Sequence, residues 1–236
     1  MQEHCIKPIG VVHSCFKEKF AIPRQPALAP AAKGEIELFA PYNDPVAIEG
    51  LEHVSHLWLS FIFHQTLNPA RSSIQPPLRV RPPRLGGNKK IGVFATRSTH
   101  RPNALGLSVV KLEGINNNRL QISGLDLLDG TPLVDIKPYV PYADALTTAF
   151  NHLANEAPEL IQVEFKPSAL QAALIHQVRL QQPVQELIVQ MLAQDPKPAY
   201  QKLDLERVYG VNIWDLNVQW QYLPTGNINV IAVALA

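Results

Sequence analysis

Two arginines four residues apart are the groups in this chain best suited to chemistry. Arg97 and Arg101 lie within Thr96 to Asn103, eight residues that also carry three hydroxyls, a histidine, a proline and an asparagine. Each guanidinium offers a planar fork of donors matched to a carboxylate or a phosphate. A lone loop arginine is more often solvated or paired with a neighbouring acid, and such surface pairs are weak. Here no acid is close in sequence. From His53 to Leu112 the chain has neither Asp nor Glu, whereas Arg71, Arg79, Arg81, Arg84, Lys89, Lys90, Arg97, Arg101 and Lys111 all fall inside. These sixty residues carry +9 in a chain of net +1, which leaves −8 for the remainder. Such asymmetry points to a polyanionic partner, nucleic acid before membrane, because no basic amphipathic helix accompanies it.

The elements that must position the arginines can be read on either side. Ile91 to Ala95 and Leu105 to Val110 are short, apolar and β-branched, and are expected to be buried strands. The polar octet between them is then a loop hung on strands, a common address for a binding site. Pro102 fixes its own φ and pushes Arg101 toward an extended backbone, while Asn103 tolerates positive φ, so Arg-Pro-Asn predicts a rigid turn. Gly106 would allow a close backbone approach.

Further strands are expected at Ile6 to Cys15, at Gly34 to Ala40 with Ile36 and Leu38 on one face, and at His56 to His64. The last is apolar on both faces and reads as a central strand covered on both sides, with His64 and Gln65 leaving the core at its end. Val46 to Ser55 reads as a short helix. Asn68 to Asn88 has no hydrophobic period and should be a long surface loop, a candidate RNA-contacting arm through Arg79, Arg81 and Arg84, with Lys89 and Lys90 beside it. Arg119 to Ser123 and Leu133 to Ile136 read as strands around an Asp129-Gly130 turn, and Thr131-Pro132 opens the second of them.

Beyond Asn151 to Pro167, an acidic and polar stretch that suits a domain boundary, the pattern turns helical. Ser168 and Gln171 form a capping box ahead of Leu170, Leu174 and Val178. Pro183 opens a second helix with Val184, Leu187, Ile188, Met191 and Leu192 on one stripe, stopped by Pro196 and Pro198. Leu205 to Tyr209, Asn217 to Leu223 and Ile228 to Leu235 read as strands, with Val218, Trp220 and Tyr222 on a common face. This last third carries no catalytic constellation and suits a substrate-positioning or dimer-supporting role.

Composition narrows the classes. With 46% hydrophobic and 17% charged residues the chain can build a core, and its 21 prolines, well above the usual share of about 5%, predict many ordered loops. Cys5 and Cys15 are the only cysteines and have no metal-ligand spacing, so free thiols in a reducing compartment, and no metal, are expected. Neither a basic leader nor an apolar run long enough to span a membrane is present, which fits a cytoplasmic protein. No strand is followed by G-x-G-x-x-G, and there is no P-loop, so a Rossmann-type cofactor site is not supported.

The run G-V-F-A-T-R-S-x-x-R-P-N-x-x-G, preceded by R-P-P-R-L-G-G-N (Arg81 to Asn88) and followed by L-D-L-L-D-G-T-P-L-V-D-I-K-P-Y (Leu125 to Tyr139), resembles the TsaA/TrmO family. Ile9 to Phe20, P-R-Q-P (Pro23 to Pro26) and Gly50 to Trp58 extend the resemblance over roughly the first 150 residues. Ala104 departs from it, since the family usually has a second proline there. The resemblance implies a β-barrel domain at 1–155, and with the helices and strands read beyond it the chain is expected to be mainly β, with a small α+β domain at 156–236. It further implies an S-adenosylmethionine-dependent methyltransferase acting on N6 of threonylcarbamoyl-adenosine 37 of tRNA, and a homodimer. For the cofactor it implies Arg24, Gln25, Pro26, His64, Gln65, Arg97, Leu107, Asp129, Gly130, Thr131, Pro132 and Leu133. Arg101 would stand near the boundary of cofactor and substrate. Asp135, if buried at a strand end, is a candidate base, although a salt-bridged aspartate is the commoner fate.

Two other classes compete with the enzyme. A silent RNA-binding barrel would need only the basic segment and would not bind S-adenosylmethionine. A small-molecule-binding regulator using the barrel mouth would leave the +9 segment without a purpose.

Overall fold

The computed structural model describes residues 4–66, 77–82, 89–154, 156–197 and 201–236. Six strands close a barrel: β1 (Gly10–Ser14), β2 (Lys33–Leu38), β3 (His56–Ile62), β6 (Leu105–Asn116), β7 (Arg119–Ser123) and β8 (Thr131–Pro138). Between β3 and β6 the chain makes a small antiparallel pair with two residues in each strand, β4 (Arg79–Val80) against β5 (Ile91–Gly92). The barrel order is β1-β2-β7-β6-β3-β8, and each neighbouring pair is antiparallel. Side chains alternate across the wall as a pleated strand requires. Val12, Ile36, Leu38, Leu57, Leu59, Phe61, Val110, Leu112, Leu120, Ile122 and Leu133 fill the inside.

Strand polarity decides where the loops go. The C-terminal ends of β1, β3 and β7 share one rim with the N-terminal starts of β2, β6 and β8. The connections 15–32, 63–104 and 124–130 therefore all emerge at that rim. Leu125 and Leu127 of the shortest connection fold inward as a plug, each 1% exposed. Ser14 Oγ donates to Leu127 O at 2.7 Å and Gly130 N to Val12 O at 2.9 Å, which ties the plug to β1.

The second unit is a four-stranded sheet in the order β10 (Tyr209–Ile213), β11 (Leu216–Tyr222), β12 (Ile228–Leu235), β9 (Val163–Phe165), with β9 parallel to β12. A four-residue helix α1 (Pro141–Asp144) precedes it, and α2 (Pro167–Leu180) and α3 (Val184–Leu192) belong to it. Its core is continuous with that of the barrel. Phe16 bridges Ile213, Trp214 N donates to Cys15 O at 2.7 Å, and the Phe20 ring stacks on Trp220 at 5.9 Å.

Several expectations hold residue by residue. β7 spans the residues read from sequence, Ile36 and Leu38 share the inner face of β2, and Val184, Leu187, Ile188, Met191 and Leu192 are the buried stripe of α3. Val218, Trp220 and Tyr222 are buried together.

Others are corrected. The strand expected at Ile91 to Ala95 ends at Gly92, and Val93–Ala95 is a 3-10 turn, because Thr96 N and Oγ1 both cap Val93 O. The helix expected over Val46 to Ser55 is two 3-10 turns broken by Gly50 at φ 89°. β1 begins only at Gly10. β3 is central, but only Leu57, Leu59 and Phe61 are buried, since a barrel strand has an inner and an outer face. α2 opens at Pro167 with Lys166 as its cap, so Ser168 lies inside the helix and makes no capping bond. Its packed residues are Ala169 and Ala173, while Leu174 and Val178 are exposed. No strand forms at Leu205 to Val208, where Asp204 Oδ1 accepts from Glu206 N and Arg207 N and holds the backbone in a turn. Pro198 lies outside the described residues.

Candidate active site

The three connections of one rim bring together residues far apart in sequence. Arg24, Gln25 and Pro26 come from the first, His64, Gln65, Arg97 and Arg101 from the second, and Asp129 and Gly130 from the third. Arg97 Nη1 donates to Gln25 Oε1 at 2.5 Å, joining two of the connections across 72 residues. Arg97 itself is exposed, so part of its donor fork still faces solvent.

The turn that presents Arg97 forms as its residues require. Arg101 is extended at φ −138°, Asn103 takes φ 62°, and Ala104 follows at φ 49°. Pro102–Ala104 closes as a 3-10 turn, with Ala104 N donating to Arg101 O at 3.1 Å. Arg101 is turned back on its own loop. Its Nη1 donates to Thr96 O at 3.0 Å and Ser98 O at 3.5 Å, the carbonyls on either side of Arg97. At Gly106 a Cβ would stand 2.3 Å from Cε2 of Phe61. What approaches this glycine is therefore a ring rather than a backbone.

His64 and Gln65 occupy the 3-10 turn after β3. Lys19 Nζ donates to Gln65 O at 2.8 Å, and burial, with the Lys19 ammonium second, holds the His64 imidazole below its usual value. Asp129 is committed to structure, accepting from Ser14 N at 2.8 Å and from Lys17 Nζ at 2.7 Å. Burial acts to raise its carboxyl, but Lys17 and the Ser14 amide outweigh it and leave the group below the usual carboxylate range. Gly130 adopts φ 74° in the expected turn. Thr131 and Leu133 point into the barrel and are 3% and 0% exposed, so they support the turn from below rather than present surface at the rim. Thr131 Oγ1 donates to Leu128 O at 2.6 Å. Leu107, 59% exposed, lies on the outer wall with Ser60 and Asp135 in register beside it.

Asp135 does not have the environment that would make it a base. It lies on the outer face, its side chain 46% exposed, and it pairs with Lys137 and accepts from Ile136 N. The carboxyl with the expected character is Asp126. Its Oδ1 accepts from Ser108 Oγ at 2.5 Å, and burial pushes it up to about 6 against the opposing pull of Ser108 and Arg97. Asp126 is not among the candidates read from the sequence. The signal was its place between Leu125 and Leu127, both of which must be buried.

Among the basic residues of the arm, Arg79 Nη2 donates to Lys90 O at 2.9 Å across the β4–β5 hairpin, and Arg81, Lys89 and Lys90 are exposed. Arg84 lies outside the described residues. Among the described residues no group of three His, Cys, Asp or Glu is placed to hold a metal, and no helix is long and apolar enough to cross a membrane.

This rim, with its P-R-Q-P and A-T-R-S loops joined through Gln25 and Arg97, lies in the first of two regions that match known domains. Residues 11–145 match the tRNA-methyltransferase O N-terminal domain, and residues 158–236 match the TrmO C-terminal domain. The chain belongs to the TrmO family. It is 45% identical over 232 residues to the tRNA (adenine(37)-N6)-methyltransferase of Escherichia coli, covering 96% of each chain. A Pseudomonas aeruginosa protein provisionally named S-adenosylmethionine-dependent methyltransferase RcsF is 58% identical over 231 residues, covering 98% of each. The crystal structure of TrmO from Pseudomonas aeruginosa superposes with a TM-score of 0.84 at 51% identity, covering 99% of each chain. The TrmO C-terminal unit reaches the rim directly. Gln190 Oε1 accepts from Ala31 N at 2.8 Å, Gln194 Nε2 donates to Leu28 O at 3.3 Å, and Arg24 Nη2 donates to Lys197 O at 3.5 Å.

Proposed function

We propose that this TrmO-family chain transfers the methyl group of S-adenosylmethionine to N6 of adenosine 37 in tRNA, and that the adenosine is its threonylcarbamoyl form. The observation that carries the reading is the joining of two rim connections through Arg97 and Gln25, in a chain that matches both TrmO domains.

The rim suits the cofactor chemically. An exposed guanidinium fits its carboxylate, the Asp129-Gly130 turn, whose amides donate to Phe16 O and Val12 O, offers carbonyl acceptors to a polar edge, and exposed Leu107 offers apolar surface. Arg24, Gln25, Pro26, His64, Gln65, Arg97, Leu107, Asp129, Gly130 and Pro132 form the proposed cofactor site, with buried Thr131 and Leu133 supporting it. The bound cofactor supplies an electrophilic sulfonium methyl. The chain's part is to align nucleophile and methyl, worth several kcal/mol in well-oriented systems. Arg101 serves the site by holding the carbonyls that flank Arg97.

Arg81, Lys89 and Lys90, with Arg79 and Arg84 of the same arm, are assigned to tRNA phosphates. The barrel of 1–155 carries the chemistry, and the unit of 156–236 braces its first connection. The active form is a homodimer working in the cytoplasm.

Transfer of labelled methyl to two tRNA samples, with and without threonylcarbamoyl at position 37, tests the reading. Methylation of the modified sample alone is expected. Transfer to neither, together with no calorimetric signal on titration with S-adenosylmethionine, would leave a silent RNA-binding barrel.

A further inference from the structure

We propose that Asp126 accepts the N6 proton during methyl transfer, a role that rests on the substrate reading above. Asp126 sits in the 124–130 connection at the same rim as Arg97, between the two leucines that plug the barrel. Those neighbours fix its backbone. Ser108, on the inner face of β6 and 2% exposed, fixes its carboxyl by donating at 2.5 Å.

The other carboxylates near the rim are occupied. Asp129 is held by Lys17 and Ser14 N, and Asp135 by Lys137 and Ile136 N. Asp126 forms no ion pair among the described residues. The charges around it are the Arg97 guanidinium, which favours its ionised form, and, elsewhere on the rim, the Lys17–Asp129 pair and Lys19 beside His64. Burial against the leucines nevertheless leaves it a stronger base than an ordinary carboxylate and still ionised at neutral pH. His64, a histidine of the same rim, is held below its usual value by burial and by the Lys19 ammonium, so it is a weaker acceptor than an ordinary imidazole.

The electrons balance simply. The N6 lone pair forms the bond to the methyl carbon, and the pair of the breaking carbon–sulfur bond stays on sulfur, which becomes a neutral thioether. The N6 proton passes to the Asp126 carboxylate, and the neutral acid loses it to solvent once the product leaves.

The test compares the wild-type chain with Asp126→Asn and Ser108→Ala in single-turnover methyl transfer across pH, beside calorimetry with S-adenosylmethionine and carbon-13 NMR titration of aspartate carboxyls without ligand. Asp126→Asn should lower the saturated rate by about 10²- to 10⁴-fold, the usual range for a lost general base, with cofactor affinity unchanged. Its NMR spectrum should lose the one carboxyl that titrates with the acidic limb of the wild-type profile. Ser108→Ala removes a donor to the carboxylate, so limb and NMR midpoint should move together to higher pH, with the rate recovered there. The proposal is overturned if Asp126→Asn keeps the wild-type rate, if its defect disappears at high cofactor concentration, or if Ser108→Ala leaves the limb in place. A wild-type chain inactive on every tRNA overturns the substrate reading and this role with it. An active wild type with an equally active Asp126→Asn overturns this role alone.

Discussion

Arg97 and Gln25 are joined by a hydrogen bond between two connections of the barrel rim, the first leading into β2 and the second into β6. A charged donor on a neutral acceptor is worth about 1.5–3 kcal/mol, and here it also sets how the remaining donors of Arg97 face outward. Arg97→Ala should therefore weaken S-adenosylmethionine binding by about 10- to 100-fold. Arg119→Ala is the control, since Arg119 pairs with Glu35 and Glu37 on the barrel wall. Calorimetry that returned equal affinities for the two variants would remove Arg97 from the site.

Gly106 is required by a ring. Adding one methyl group there drives it into Phe61, whose own edge packs on Phe63 at 5.1 Å. Gly106→Ala should cost about 1–3 kcal/mol as overpacking does, read as a lower urea midpoint with an unchanged slope. A midpoint equal to wild type would mean that Phe61 has room to move.

The pH dependence of stability carries the mark of Asp126. A carboxyl held high in the fold binds its proton more tightly folded than unfolded. Its contribution is thus fully present below the unfolded value of about 4 and is lost as pH rises through about 6. Asp126→Asn should match or trail wild type at pH 4 and become the more stable of the two above pH 6. Urea melts at a series of pH values would show this as curves that converge toward acid. Parallel curves would mean that Asp126 titrates like a solvent-exposed aspartate.

The basic arm makes a different prediction. Replacing Arg81, Lys89 and Lys90 with Ala should lower tRNA affinity and reduce the salt slope by roughly two to three units, at about 0.7–0.9 per phosphate contact. Cofactor affinity should stay as it was. An unaltered slope in filter binding would place the phosphates elsewhere. Arg79 is left intact because it braces Lys90 O across the hairpin.

What the sequence disclosed depended on whether local chemistry sufficed. The Arg101-Pro102-Asn103 turn needs only a preset φ and an asparagine that tolerates positive φ, and the structure repeats it. The α3 stripe is equally local, since five apolar residues at helical spacing must be buried. The α2 stripe misled because Ala169 and Ala173, too small to dominate a hydrophobic pattern, let the helix lie close to β12. Asp126 was only partly legible, because Leu125 and Leu127 flank it in sequence while the strands that bury them, and the Ser108 hydroxyl that opposes the shift of its carboxyl, lie elsewhere in the chain. The bracing of Ala31 and Leu28 by Gln190 and Gln194 was hidden likewise, as nothing in a polar helix position names its long-range partner.

The barrel closes with six strands, an even number, and each meets both neighbours antiparallel. An odd count would leave one parallel seam, which a short hairpin cannot cross. The wall can consequently gain or lose strands only in pairs, while any connection on the rim can lengthen without disturbing a single ladder bond. Inheritance is thereby divided within one small fold, with a conservative wall that keeps its register and an inventive edge where new substrate contacts can be tried at little structural cost.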